Sequence, residues 1–535
     1  MARVNLLFLF AIALLFGQTP SINDLPNFPR SLAKDFYIWH HLQGTITAKQ
    51  ADELFSQTNK VGSKLYKAYV KKSDNKYLKN TLRCFKLNSK QLLKEKNLQC
   101  LTLALSPYKA SKLRPSQRRS LSKKLRTSSP TMSHWLNSMN SLKALEKTFK
   151  ESPQEFLMLF RRSGLKFRNS HYNKLLDNSF LTKLSHFPEF DNFVETVAID
   201  KHLLRLKKSL GGFIADKKVS THARFYLGLI KLKQHKKLLA LDDFIYVSEH
   251  DYFQMNRDKA LFWSYLVTKD VHFLYKLYPS TDLNIYTIYA AEALERPYIG
   301  SFSPQFSKKN QALYDESNPF TWSSLLQRDK NLTSMQACEE LDQYDSDKTQ
   351  ALYAFYLEKC GMYAIHPYVT PYLNLLGKSS SATKSLFYAI GRQESRLMAG
   401  GISSVFAMGM MQIMPFLSKA IAKQKKERLF LPDMFKPRKN INYAQYHLKN
   451  LTRKLKHPLF IAYAYNGGRG YLRRQFKKGL FPKKKPAYEP FLSMESLSYP
   501  ETREYGKKVL ANYIIYSQLF KNPTSLTHLL RTLKR

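Results

Sequence analysis

The chain reads as all-α, with a long helical array followed by a smaller compact helical domain. Three observations lead there. From about residue 28 to 370, Leu, Lys, Ala, Phe and Tyr dominate and long alternating strand patterns are absent. Only 19 glycines occur in 535 residues, too few for a turn-rich β architecture. Near residues 376–383 the text changes to the polar, Ser-rich Leu-Gly-Lys-Ser-Ser-Ser-Ala-Thr, a plausible boundary. A chain of this length exceeds one compact core, which favours several domains or an array plus a domain.

The N-terminus opens with Arg3 and an unbroken apolar run from Leu6 to Phe16, then Gly17-Gln18-Thr19-Pro20. That run has the length of a signal-peptide core and falls short of the roughly 20 apolar residues that span a bilayer. Residues 1–19 are therefore expected to be a signal peptide. No later stretch is long and apolar enough for a transmembrane helix, so the mature chain is expected outside the cytoplasm with no transmembrane segment. The array is then expected over 20–375, with a subdivision near 300–370 left open, and the compact domain over 376–535.

Helical text continues through the array. In Lys259–Leu294, Leu261, Tyr265 and Leu266 recur at helical spacing, and a second segment carries Phe273, Leu274 and Leu277. Pro279-Ser280-Thr281-Asp282 interrupts the pattern before Ile285, Ile288 and Tyr289 resume it. Short helices joined by polar turns predict paired helices stacked side by side, without a strict repeat. Four cysteines fall into two local pairs, Cys84 with Cys100 and Cys338 with Cys360. In an oxidising compartment these are the natural disulfides, although sequence alone permits the other two connectivities. Neither pair has the spacing or nearby histidine of a zinc site, and no metal or cofactor is expected.

The formal net charge of +46 points to an anionic partner: nucleic acid, a membrane surface or an acidic polymer such as a cell wall. Basic residues are spread along the chain, for example Arg118, Arg119, Lys425 and Lys484, so charge does not choose among them. Zinc-finger spacing, a P-loop, a basic heptad region and an RNP-like aromatic motif are all absent, which argues against nucleic acid. A protease is excluded by the lack of His-Glu-x-x-His and Gly-x-Ser-x-Gly.

The chemistry concentrates after residue 384. In KSLFYAIGRQESRLMAG, Leu386, Phe387 and Ile390 form an apolar stripe, and Glu394 lies one turn beyond Ile390, about 40° round the helix. A carboxylate thus ends an inward-facing stripe, ahead of a helix break expected at Gly400-Gly401. Pairing with Arg392 or Arg396 is the competing reading for Glu394. In SSVFAMGMMQIMP, Gly409 permits close backbone approach, and Met408, Met410, Met411 and Met414 offer an apolar wall. Water exclusion by such a wall raises a carboxyl pKa, as a general acid at neutral pH requires.

Glu394-Ser395, Ser403, Ala407, Gly409, Met411, Gln412, Ile413, Met414 and Pro415 resemble the Glu-Ser … Gly-Leu-Met-Gln-Ile-Met-Pro signature of lytic transglycosylases, with Gln412 following Glu394 by 18 residues. Ala464-Tyr465-Asn466-Gly467-Gly468-Arg469-Gly470 resembles that family's Ala-Tyr-Asn-Ala-Gly-Pro-Gly block, and Glu501-Thr502-Arg503-Glu504-Tyr505 its Glu-Thr-Arg-x-Tyr block. The long helical region before them resembles the soluble lytic murein transglycosylase (Slt) type, which implies an α-superhelical domain, ring-like in that group, ahead of a lysozyme-like α-helical catalytic domain. Departures are Phe406 where the family usually has Gly, Gly400 for Pro, Gly467 for Ala, Arg469 for Pro, and Leu497-Ser498 for Ile-Pro. None removes a polar group needed for chemistry, but Phe406 alters the fine shape of the cleft.

The resemblance implies periplasmic cleavage of the β-1,4 bond between N-acetylmuramic acid and N-acetylglucosamine in peptidoglycan glycan strands. Glu394 is the implied catalytic acid and base. Ser403 and Tyr465 are implied to hydrogen-bond near the substrate N-acetyl group or the catalytic Glu, and Gln412 and Met414 to position sugars. Glu501 matches a substrate-contacting or supporting acid, or is simply a favourable first-turn Glu after Pro500. Asn466 is expected to fix a turn ahead of Gly467-Gly468. Two other readings stand: a lysozyme-like peptidoglycan hydrolase, and a non-catalytic wall-binding scaffold that organises other cell-wall enzymes.

Overall fold

The computed structural model describes residues 20–140, 152–307, 314–484 and 486–533. The expected signal peptide, 1–19, lies outside these residues. The described chain is mostly helical; its named strands are the two-residue pair Ser301–Phe302 and His366–Pro367, which run parallel. No described helix is long and apolar enough to cross a membrane.

The chain forms two compact units, neither contiguous in sequence. One comprises Asn75–Tyr278 and Pro486–Ser498. Its helices pack on their chain neighbours, Thr221–Lys233 on Lys237–His250 and that helix on Gln254–Thr268, as the expectation of stacked pairs requires. The helix and break pattern read in 259–294 is present as Gln254–Thr268, His272–Leu277 and Ile285–Ala293. The first of these buries Phe262, Trp263 and Leu266 and leaves Leu261 and Tyr265 half-exposed. Trp263 packs with Phe225 and Phe244, and Phe491 meets Phe262 edge-on at 4.6 Å, which explains why the late stretch 486–498 belongs here. Cys84 is disulfide-bonded to Cys100, joining Lys76–Lys86 to Leu98–Ala104. Closing such a loop constrains the unfolded chain by about 3 kcal/mol.

The other unit comprises Met1–Asp74, Pro279–Lys485 and Tyr499–Arg535. Cys338 and Cys360 are disulfide-bonded within it. Its centre is the 20-residue helix Pro500–Leu519, against which both Ser381–Ser395 and Pro458–Gly467 pack. Proline at the first position and Glu501 in the first turn favour a helix start there. Gly506 lets the Tyr463 ring approach this helix; a Cβ at 506 would lie 2.1 Å from that ring. The Tyr388 and Tyr516 hydroxyls donate to the carbonyls of Pro371 and Val369, each at 2.9 Å, so these two core rings are also polar-satisfied.

Candidate active site

The helix carrying Glu394 begins where the Ser-rich text predicted a boundary: the Ser380 hydroxyl caps Ser381–Ser395 by accepting from the Thr383 amide. It ends at Ser395, before the glycines expected to break it. Arg396 and Leu397 take left-handed conformations (φ 55° and 68°), and the Leu397 amide bonds back to the Gly391 carbonyl at 3.1 Å. Glu394 therefore sits in the last turn, half-buried, at the floor of a cleft of about 910 Å³. Its neighbouring arginines face elsewhere. Arg392 and Arg396 both pair with Glu358, at 2.6 and 3.3 Å, so the competing ion-pair reading of Glu394 does not describe this helix.

One cleft wall is a tight turn. Bridges join Ile402 to Met408 and Met408 to Ile413. Between them the Ser403 amide donates to the Ala407 carbonyl at 3.1 Å, and the Ser403 hydroxyl accepts from the Ala407 amide at 2.9 Å. Gly409 is left-handed (φ 72°), and a Cβ there would lie 2.2 Å from the Asn440 amide nitrogen. That space is used: buried Asn440 accepts from the Met411 amide at 3.0 Å and donates to the Met408 and Met434 carbonyls at 2.9 and 2.8 Å.

Phe406, in the position noted as a departure, is also left-handed (φ 62°), a conformation that costs a side-chain-bearing residue about 1–2 kcal/mol. Its ring is 3% exposed and lies 5.2 Å from Trp39 and 6.0 Å from Phe36. Burying a phenylalanine contributes about 1.5–3 kcal/mol, enough to offset the backbone cost.

The opposite side comes from two helices. Tyr465 and Asn466 project from the end of Pro458–Gly467, and Glu501 and Tyr505 stand one turn apart on Pro500–Leu519. The Tyr505 hydroxyl donates to Glu394 Oε1 at 2.7 Å. The Tyr465 hydroxyl donates to the Met411 carbonyl at 2.7 Å, tying this side to the turn. Asn466 Nδ2 donates to Glu501 Oε1 at 2.9 Å, and its carbonyl oxygen accepts from the Thr502 hydroxyl at 2.5 Å. Asn466 thus bridges two helices through its side chain, a wider role than the local turn expected of it.

Loss of water pushes the Glu394 carboxyl up to about 7, with the nearby Glu501 charge adding to the rise and the Tyr505 hydrogen bond opposing it. Burial also raises Tyr465 and Tyr505 well above the usual phenol range, so both remain hydrogen-bond donors. His447, 5.4 Å from the Tyr465 ring, is pushed down to about 4 by burial and by Arg469, and is neutral at pH 7.

Glu394, Ser403, Gln412, Met414, Tyr465 and Glu501 all line this one cleft. The apolar wall differs from expectation: Met408, Met410 and Met411 are fully buried beneath the turn, and Met414 is the methionine of that run that reaches the cleft. Tyrosines take their place beside Glu394. Tyr505, the last residue of the Glu-Thr-Arg-x-Tyr block, was given no role from sequence, although it stands four residues after Glu501 and hence on the same helical face. Asn440 and His447 gave no signal, since a single polar residue inside helical text looks like any solvated position. Phe416, 68% exposed at the cleft rim, was not singled out by the sequence.

Residues 372–487 match the Transglycosylase SLT domain family. Over 157 residues the chain is 32% identical to a Haemophilus influenzae protein provisionally named a soluble lytic murein transglycosylase; the match covers 28% of this chain and 25% of that protein's length. Among solved structures, an inactive mutant of the lytic transglycosylase Slt from Pseudomonas aeruginosa aligns with 17% identity and a TM-score of 0.46, over 92% of this chain and 82% of the other. The 70 kDa soluble lytic transglycosylase of Escherichia coli aligns with 15% identity and a TM-score of 0.45, over 92% and 87%. The family match contains Glu394, the turn from Ser403 to Met414, and Tyr465, and Glu501 and Tyr505 follow it. By that match residues 372–487 carry a transglycosylase SLT domain, and the chain spans about a quarter of the length of the curated relative it matches.

Proposed function

We propose that this chain cleaves the β-1,4 bond between N-acetylmuramic acid and N-acetylglucosamine in peptidoglycan, leaving 1,6-anhydromuramyl ends. The portion from residue 376 onward is the proposed catalytic domain, and the periplasm the proposed location; two disulfides fit an oxidising compartment. The observation that carries the reading is the carboxyl of Glu394, raised to about 7 in a cleft and free of its arginine neighbours. At neutral pH such a group both gives and takes a proton.

In the proposed reaction, protonated Glu394 donates to the glycosidic oxygen as the bond from that oxygen to muramyl C1 breaks. The substrate's N-acetyl group relieves the positive character at C1. Tyr505, already donating to Glu394 Oε1, stabilises the carboxylate that results. That carboxylate then takes the proton of the muramyl C6 hydroxyl while O6 bonds to C1, which restores the acid and consumes no water. Proton transfer of this kind contributes about 10² to 10⁴ in rate, and the intramolecular nucleophile adds a proximity advantage. Ser403, Gln412, Met414 and Tyr465 are the proposed sugar-positioning groups. Phe416 offers an exposed apolar face at the rim.

One observation favours a second reading. Glu501 shares the cleft and is held by Asn466, so it could direct water and make the protein a hydrolase, since paired carboxyls serve glycoside hydrolysis. Digestion of purified sacculi followed by mass analysis of the muropeptides separates the two. Anhydro ends are expected; products one water heavier establish hydrolysis. Glu394→Gln is expected to lower turnover by about 10³-fold or more, and full activity in that variant removes Glu394 from the mechanism. Sacculus binding with no muropeptide release makes the protein a scaffold.

A further inference from the structure

The turn that forms one cleft wall is held from outside by a stretch of chain far away in sequence. The helix Leu32–His41 presents Phe36 and Trp39, whose rings lie 6.0 and 5.2 Å from that of Phe406, and Phe36 also meets Phe435 edge-on at 5.4 Å. Buried Asp35, on the same helix, accepts from the amides of Asn59 and Lys60 at 2.7 and 2.9 Å, which fixes the loop that leads into the helix Ser63–Lys72. From that helix Lys64 Nζ donates to the Val405 carbonyl at 2.6 Å. The turn is therefore gripped at two successive residues, Val405 through its backbone and Phe406 through its ring. Ser403, Val405 and Ala407, on either side of the gripped ring, line the cleft with Glu394.

We propose that residues 31–64 are the outer buttress of the cleft wall and that Phe406 is a positioning residue, which sets the wall against the sugar through its seat on Phe36 and Trp39. The role in turnover rests on the cleft being a glycan-cleaving site; the mechanical role does not. Phe406 holds its left-handed turn by being anchored, where a glycine would hold it by lacking a side chain. The anchor makes the wall's position depend on the N-terminal segment, and a wall displaced by about 1 Å costs up to 10²-fold in rate.

The test uses the full chain with Phe406→Gly, Trp39→Ala and Phe406→Leu. Amide exchange and kcat and KM on purified glycan strands are measured well below the melting temperature. Phe406→Gly keeps the backbone conformation available and removes the anchor. Trp39→Ala leaves the turn's own sequence intact. Both are expected to speed exchange across residues 402–412 without affecting Pro500–Leu519, and to lower kcat/KM by about tenfold. The pH midpoint of activity is expected to stay in place, because the helix of Glu394 and Tyr505 are untouched. Phe406→Leu, which keeps an apolar anchor, is expected to recover most of the loss. If Trp39→Ala fails to fold, Lys64→Ala carries the test with an expected loss of about threefold, the size of one hydrogen bond. Unchanged exchange across 402–412, or kcat/KM within twofold of the parent in folded variants, overturns the proposal. An inactive parent chain would instead defeat the glycan-cleaving reading, and the exchange data would still decide whether 31–64 holds the wall.

Discussion

Tyr505 and Glu394 set each other's chemistry. The phenol donates to Oε1 at 2.7 Å, and this bond favours the charged carboxylate while burial favours the acid. Removing the hydroxyl therefore raises the carboxyl further. In the proposed reaction the proton must be present at the start, so activity is expected to decline as pH rises through about 7. Tyr505→Phe moves that decline to higher pH, measured as the alkaline limb of kcat/KM, and a limb that stays put or moves down contradicts the pairing.

A second consequence concerns stability. The folded-state pKa of Glu394 lies above its ordinary 4.5, so the site is most comfortable with the proton on. Stability is lost as pH climbs from 4.5 through 7 and then levels off. At about 1.4 kcal/mol per pKa unit, the charged form costs on the order of 3–4 kcal/mol. Glu394→Gln is therefore expected to raise the melting temperature at pH 8 and to match the parent near pH 4. A variant less stable than the parent at pH 8 refutes this. Glu394 itself was legible because it ends an apolar stripe and opens the block that resembles the Glu-Ser … Gly-Leu-Met-Gln-Ile-Met-Pro signature. Its bond to Tyr505 was not, because a hydrogen bond across 111 residues leaves no periodic trace.

Among the elements, the turn from Ile402 to Met414 depends most on distant support. Glycine and small residues at 403, 404, 407 and 409 were readable as tight backbone, and Gly409 is left-handed as such a residue can be. What occupies the space beside it was not readable. Asn440 satisfies three backbone groups of the turn and its surroundings from inside Pro437–Leu455. Asn440→Ala leaves those buried groups unpaired at about 1–3 kcal/mol each before relaxation, so a net loss of about 2–4 kcal/mol is expected. Urea unfolding followed at a cleft tyrosine checks it; an unchanged midpoint means the turn supports itself. The methionines illustrate the same limit. Their spacing marked an apolar wall, yet three of them lie beneath the turn and tyrosines from other helices face the carboxyl.

On the scale of the whole molecule, the unit that holds the cleft is assembled from three separated stretches, 1–74, 279–485 and 499–535, and the other unit from two. Helical content, the stacking of short helices in pairs, the two local cysteine pairings as the natural though not the sole connectivity, and, through the family resemblance, the cleft residues within the quoted motifs were readable from the chain. The first three depend on residues near one another in sequence, which periodicity and spacing report directly, and the last on three short blocks of fixed spacing. Tertiary structure alone decided that Leu32–His41 seats Phe406, that Tyr505 bonds Glu394, that Glu358 draws both arginines away from it, and that Asn440 fills the space beside Gly409. These depend on which surfaces meet when helices far apart in the chain pack together. A helical pattern states which face of a helix is apolar, but it does not name the helix that will cover that face.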